Sequence, residues 1–79
     1  MAIYIPIKII DENHYEAVYS FFGSGEVLIG KVKILKESGD VSLLWIKDAK
    51  YLFEYKRVKR KLFLHWRLGE LPQSTNWAS

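Results

Sequence analysis

The chain is poor in the residues that build metal sites and covalent cross-links: it has no cysteine and only two histidines among 79 residues. Without cysteine, neither disulfides nor thiolate metal sites can form. His14 and Glu16 would share one face of a strand, but a zinc site normally needs three or four protein ligands. His65 is far away in the sequence. We therefore expect no metal and no other cofactor.

Long apolar runs are also missing. No stretch approaches the roughly 20 apolar residues that a membrane-spanning helix needs. The N-terminal MAIYIPIKII is apolar, but it has neither a basic leader nor a small-residue cleavage site, and its alternation suits a strand. We expect one small domain over residues 1–79 in the cytoplasm, with no membrane insertion.

Catalytic motifs are absent too. The glycine-rich stretch Gly23-Ser24-Gly25-Glu26 lacks the strand-to-helix context of a nucleophile elbow, and no P-loop lysine follows it. The serines fall mostly in turns, the tail or strand surfaces, and the acidic residues are spread through turns. The sequence therefore indicates no pair of residues for general acid–base catalysis. The sequence predicts a protein that is not an enzyme.

The first 46 residues show the alternation typical of β-strands. It predicts four strands, at about residues 3–10, 15–22, 27–36 and 41–46, joined by short turns into an antiparallel meander. The isoleucines at odd positions of the first strand are expected to face the core. Pro6 cannot donate to a ladder, so this strand is expected at a sheet edge or with a bulge at Pro6. In the third strand, Leu28 and Gly30 are placed on the core face.

The period then changes to that of a helix. Residues 49–68 contain no proline or glycine, Asp48 is a candidate N-cap, and Gly69 with Pro72 forms a stop signal. When these residues are placed on a helix at 100° per residue, the apolar side chains form one broad stripe along it. Its members are Tyr51, Leu52, Tyr55, Val58, Leu62, Phe63 and Trp66. We predict an α+β fold: a four-stranded antiparallel β-meander packed on one face by a single C-terminal α-helix.

Positive charge is concentrated on this helix. Residues 47–67 hold eight of the 12 Lys and Arg residues but only two of the nine Asp and Glu residues. Away from the stripe, the candidate basic contact face consists of Lys50, Lys56, Arg57, Arg60, Lys61 and Arg67. Lys59 falls within the stripe and is expected to extend its ammonium outward. The face is either a solvated surface or a phosphate-binding surface.

Apolar residues outside the stripe indicate protein contacts. The candidates are Phe53, Leu64, Leu68 and Trp77. The tail, residues 69–79, is expected to dock, because a free terminus has little use for Trp77. A partner-binding anchor is the alternative.

We therefore predict a small non-catalytic binding module that acts through protein contacts with an unknown protein or a second copy of itself. Tyr4, Ile10 and Phe22, on the sheet face away from the helix, form a second candidate contact surface. The alternative is a nucleic-acid-binding protein that uses the basic outer face of the helix.

Overall fold

The fold is an antiparallel sheet with one helix on one face. The computed structural model describes residues 3–78. Its elements are, in chain order, β1 (Tyr4–Glu12), β2 (Glu16–Phe22), a 3₁₀ turn (Ser24–Glu26), β3 (Leu28–Leu35), β4 (Val41–Ile46), a second 3₁₀ turn (Ala49–Tyr51), α1 (Leu52–Arg67) and β5 (Ser74–Ala78). The sheet order is β4-β3-β2-β1-β5. The α+β class, the meander and the C-terminal helix are confirmed.

The prediction of four strands is wrong, because the tail supplies a fifth. Residues 74–78 pair antiparallel with β1, and Trp77 lies opposite Ile5. Trp77 packs against the edge of the core. The tail is therefore docked, as expected, and backbone pairing with β1 holds it there.

Because β5 covers β1, the prediction that β1 is an edge strand is also wrong. The N–H of Ile9 donates to the carbonyl of Gln73, 2.8 Å away, on the side of β5. Because successive residues of a strand direct their backbone N–H and C=O groups to opposite sides, the backbone nitrogen of Pro6 is directed toward β2. The ladder between β1 and β2 begins only at Ile7, opposite Phe21. Pro6 thus lies just beyond the end of that ladder, so no hydrogen bond of the ladder is lost because proline lacks an N–H.

The core lies between the helix and the sheet face lined by odd-numbered residues of β1 and β2. Ile5 and Ile7 are buried, and Ile9 packs beside them. The alternation predicted for these two strands is confirmed. The other buried apolar residues are Ala17, Tyr19, Phe21, Ile29, Val32, Ile34, Val41, Val58 and Leu62.

A bulge in β3 overturns the predicted orientation of Leu28. Phe22 pairs with Leu28 whereas Phe21 pairs with Gly30, so Ile29 is the extra residue. Ile29 is buried in place of Leu28, which is half-buried and lies beside Phe22 on the other face. A one-residue shift exchanges the two faces of a strand, and periodicity alone does not locate such a shift.

The helix buries a narrower stripe than predicted. Val58 and Leu62 are fully buried, and the tyrosines and Trp66 of the stripe pack against the core. Leu52 and Phe63, in contrast, are 42% and 38% exposed. The first turn is a 3₁₀ turn, which Asp48 caps by accepting from the N–H of Lys50 at 3.0 Å. At 100° per residue, Leu52 and Phe63 lie together at one edge of the stripe, about 80–100° from Leu62, and this edge is not covered by the sheet.

The opposite sheet face carries no covering element within residues 3–78, and two of the three residues predicted to be free there are exposed. Tyr4 is 63% and Ile10 is 52% exposed, while Phe22 is half-buried. Ile10 is the extra residue of a bulge in β1, between the pairs formed by Ile9 and Asp11.

A buried tyrosine ties the core to the segment before β5. The hydroxyl of Tyr19 donates to the carbonyl of Pro72, 2.6 Å away. Burial, and secondarily the negative charge of Glu12, raises the pKa of Tyr19 from 10.0 to about 12. The folded state therefore holds this proton more tightly than the unfolded state does.

This difference predicts a loss of stability in alkali. Below pH 10 the neutral hydroxyl is present in both states, and between pH 10 and 12 only the unfolded chain ionises. The free energy of unfolding should thus fall across this window by about 2–3 kcal/mol from Tyr19. Denaturant unfolding at several alkaline pH values measures the slope, with Tyr19→Phe as the control. At pH values below 10 the free energy of unfolding of the variant should be about 1 kcal/mol lower, because its hydrogen bond is lost. Above pH 10 this free energy should fall less steeply with pH than in the original protein. Equal slopes would contradict the assignment.

Two candidate binding faces

The described part of the chain contains no cluster of three His, Asp or Glu side chains that could hold a metal ion. Between residues 3 and 78 there is also no helix with the length and apolar character needed to cross a bilayer. The concave regions are open clefts of about 350 to 560 Å³. The candidate sites are therefore surfaces, one on the helix and one on the sheet.

The basic helix face is largely exposed to water. Lys50, Lys56, Arg60 and Arg67 are exposed, whereas Lys61 is half-buried. Lys59 is exposed as well, in agreement with the expected outward direction of its ammonium.

Among the described residues, the cations of this face have no carboxylate partners. In residues 3–78 the one ion pair joins Lys36 to Glu12, at 2.7 Å, and it lies away from the helix. Glu54 is the one acidic residue of α1. An unpaired row of exposed cations repels itself weakly and attracts anions.

Arg57 differs from the other members of the basic face. Its guanidinium carbon lies 3.8 Å from the ring centroid of Phe53 and 5.7 Å from that of Trp77. The side chain is half-buried, and its Nε has no hydrogen-bond partner. The expectation that Arg57 simply faces water is therefore wrong. It joins the first turns of α1 to β5 through ring contacts.

This contact predicts different costs for two otherwise similar charge reversals. Arg57→Glu should lower the free energy of unfolding by about 1–2 kcal/mol, because it removes a cation–π contact and places a carboxylate against two rings. Arg60→Glu makes the same charge change at an exposed position and should cost no more than about 0.5 kcal/mol. Chemical denaturation of both variants tests this. Equal costs would mean that the ring contacts do not stabilise the fold.

Two leucines at the end of α1 form the most exposed apolar pair of the helix. Leu64 is 40% and Leu68 is 80% exposed. They are four residues apart and so lie one above the other on one side of the helix. A cleft of about 440 Å³ runs beside them, lined by Lys61, Leu64, His65, Arg67 and Leu68.

The two other predicted protein-contact residues have different surroundings. Phe53 is 51% exposed, but Arg57 lies over its ring. Trp77 is half-buried against the core. The four candidates therefore do not form one patch, and Leu64 and Leu68 are the two that lie side by side.

The second face is the sheet surface opposite the helix, which we call the open sheet face. The register places Lys8, Ser20, Lys31 and Trp45 in one row across four strands. Lys33 lies two residues further along β3. Periodicity along single strands does not reveal this grouping, because the row depends on the pairing of strands across the whole sheet.

Known proteins offer no assignment for either face. The chain matches no family model, and no curated protein or solved structure is significantly similar to it. The functional interpretation therefore depends on the geometry of the two faces.

Proposed function

We propose that this protein is a small non-catalytic binding module whose outer helix surface captures an acidic protein partner. The observation that carries the proposal is the exposed pair of Leu64, in the last turn of α1, and Leu68, at its C-cap, flanked by Lys61 and Arg67. An apolar anchor with a charged rim is the usual composition of a protein-binding patch.

Charge favours an acidic partner at this patch over a second copy of the chain. Lys61 and Arg67 line the cleft beside the leucines, and neither forms an ion pair within residues 3–78. A symmetric dimer through this patch would bring these cations toward their own copies. A partner helix with leucines on one face and glutamates beside them would bury both leucines and neutralise the rim.

A synthetic peptide of defined chemistry tests the proposal. The probe is a labelled amphipathic helix of about 20 residues, with leucines on one face and glutamates on the others. Fluorescence anisotropy should show binding by the protein. Leu68→Ser should weaken that binding at least about tenfold, because a leucine buried in an interface contributes about 1.5–3 kcal/mol.

The matched control is Leu44→Ser. Leu44 is 50% exposed on β4, so the same chemical change is made outside the patch, and peptide affinity should stay within about twofold. Absence of binding, or an equal effect of the two variants, would contradict the proposal. Sedimentation at high micromolar concentration tests the homodimer separately, and a monomer at every concentration would exclude it.

A second candidate function, nucleic-acid binding by the helix, is supported by the unpaired cations. If Lys50, Lys56, Arg60 and Lys61 contact phosphates, about four counterions leave the duplex on binding. The logarithm of the affinity should then fall with the logarithm of salt concentration at a slope of about −3.6. Arg57 is left out of this count, because its guanidinium lies against Phe53.

Binding to a labelled DNA duplex at low and high salt measures this slope. The double variant Lys56→Glu/Arg60→Glu should abolish binding without loss of the fold, since both residues are exposed. If duplex binding is absent at low salt, or survives the double substitution, the helix is not a nucleic-acid interface.

A further inference from the structure

Three lysines are grouped on the open sheet face, where Lys8 is exposed and Lys31 and Lys33 are half-buried. Lys8 and Lys31 both pair across from Ser20, and Lys33 follows Lys31 on the same side of β3. From strand geometry, the Cα atoms of Lys31 and Lys33 are about 7 Å apart, and those of Lys8 and Lys31 are about 10 Å apart. None of the three forms an ion pair among the described residues.

Acidic residues of this face lie toward one end of it. The register places Asp11 opposite Val18, and Glu16 opposite Leu35, next to the turn between β1 and β2. Lys33 also pairs with Val18, in the row of Asp11, whereas Lys8 and Lys31 lie one row further toward Phe22, among apolar groups. Like charges grouped on one face of a sheet are unfavourable, and an anion placed between them would offset this repulsion.

Aromatic rings lie beside the lysines. Trp45 is 44% exposed and stands directly opposite Lys31, and the Nζ of Lys8 lies 5.7 Å above the ring of Phe22. Tyr4, 63% exposed, and Phe22 both line a cleft of about 510 Å³ at the end of the sheet, which Phe53 and Glu54 of α1 also line. The rings extend diagonally across the sheet from β1 to β4, with the lysines alongside.

We propose that the open sheet face binds single-stranded nucleic acid, with phosphates on Lys8, Lys31 and Lys33 and bases stacked on Trp45, Phe22 and Tyr4. Unpaired bases stack on exposed aromatic rings regardless of sequence, while the backbone follows the cations beside them. A duplex keeps its bases inside and cannot use the rings. This site is independent of the helix patch, because the two lie on opposite sides of the sheet.

The experiment is titration of the full chain with fluorescein-labelled oligo(U) and oligo(dT) of about 12 nucleotides, at about 50 and about 200 mM salt. Three phosphate contacts predict a slope of about −2 in the logarithm of affinity against the logarithm of salt. Trp45→Ala should weaken binding about 5- to 150-fold, the range expected for loss of one stacked base. Trp45→Phe, which keeps a ring, should stay within about fivefold of the original protein.

A pair of charge-reversal variants identifies the face. Lys31→Glu/Lys33→Glu on the sheet should weaken binding at least about tenfold. Lys56→Glu/Arg60→Glu on the helix makes the same charge change and tests the helix face as the alternative site, so it should weaken single-strand binding clearly less than the sheet variant does. Circular dichroism and denaturant unfolding establish that each variant is folded.

Three results would overturn the inference. One is the absence of single-strand binding at low salt, and another is a loss of binding caused by the helix variant but not by the sheet variant. The third is a dimer in sedimentation that Trp45→Ala dissociates, since a second copy would then cover this face. The peptide test of the helix patch uses Leu68→Ser, so failure of either proposal leaves the other unaffected.

Discussion

Leu62→Ala is expected to lower the free energy of unfolding by about 2–5 kcal/mol. Leu62 is fully buried on the underside of α1, in the same core cluster as Ile7 and Val32. Truncation removes apolar atoms from the one helix that covers this face, and the close-packed sheet beneath it collapses only partly into the space left. For a domain of 79 residues, whose total stability is about 4–12 kcal/mol, this loss is large.

The matched control is Leu68→Ala at the C-cap of the same helix. Leu68 is 80% exposed, so the same substitution should cost no more than about 0.5 kcal/mol. Urea unfolding of both variants measures the difference directly. A loss below about 0.5 kcal/mol for Leu62→Ala would mean that a different face of α1 packs on the sheet.

Gly30→Ala is expected to destabilise the protein by about 2–3 kcal/mol through overpacking. The ring of Phe21, fully buried on β2, crosses directly over Gly30 of β3. A Cβ at Gly30 would lie within 2.5 Å of Cε1 of Phe21, too close for any fixed ring. The lower backbone entropy of alanine in the unfolded chain would offset less than about 1 kcal/mol of this cost.

A double-mutant cycle shows whether the ring is the cause. Phe21→Leu removes the atoms that the new methyl group would meet, so Gly30→Ala should cost less in that background by at least about 0.5 kcal/mol. Gly23→Ala is the control for glycine replacement and should be nearly neutral. The new Cβ would lie 3.3 Å from a side-chain methyl group of Ile29. If the costs of Phe21→Leu and Gly30→Ala are additive, the close approach of Phe21 is not what requires glycine at position 30.

The sequence alone determined the elements whose pattern is local. Alternation in residues 4–9 and 16–22 identified β1 and β2 together with their buried faces, and the change to helical period after Asp48 identified α1. These assignments succeed because side-chain direction repeats every two residues in a strand and every 3.6 in a helix. The buried pair Val58 and Leu62 could be predicted for the same reason.

The candidate sites could be predicted only in part. The basic run on α1 is visible as composition, and the exposed positions of Lys56 and Arg60 agree with the helical wheel. The stacking of Arg57 on Phe53, and its approach to Trp77, could not be predicted in full. Phe53 is one helical turn away from Arg57, but Trp77 comes from another element and approaches only because β5 returns to the sheet.

Tertiary structure alone decided the fifth strand, the bulges and the open sheet face. The segment STNWA is a strand because β1 offers it an unpaired edge, and β-structure depends on such pairing more than on intrinsic preference. The bulges at Ile10 and Ile29 reverse which side chains face the core after each of them. The row from Lys8 to Trp45 exists only once four strands are in register, because hydrogen bonds between distant segments, rather than neighbours in the chain, place those side chains together.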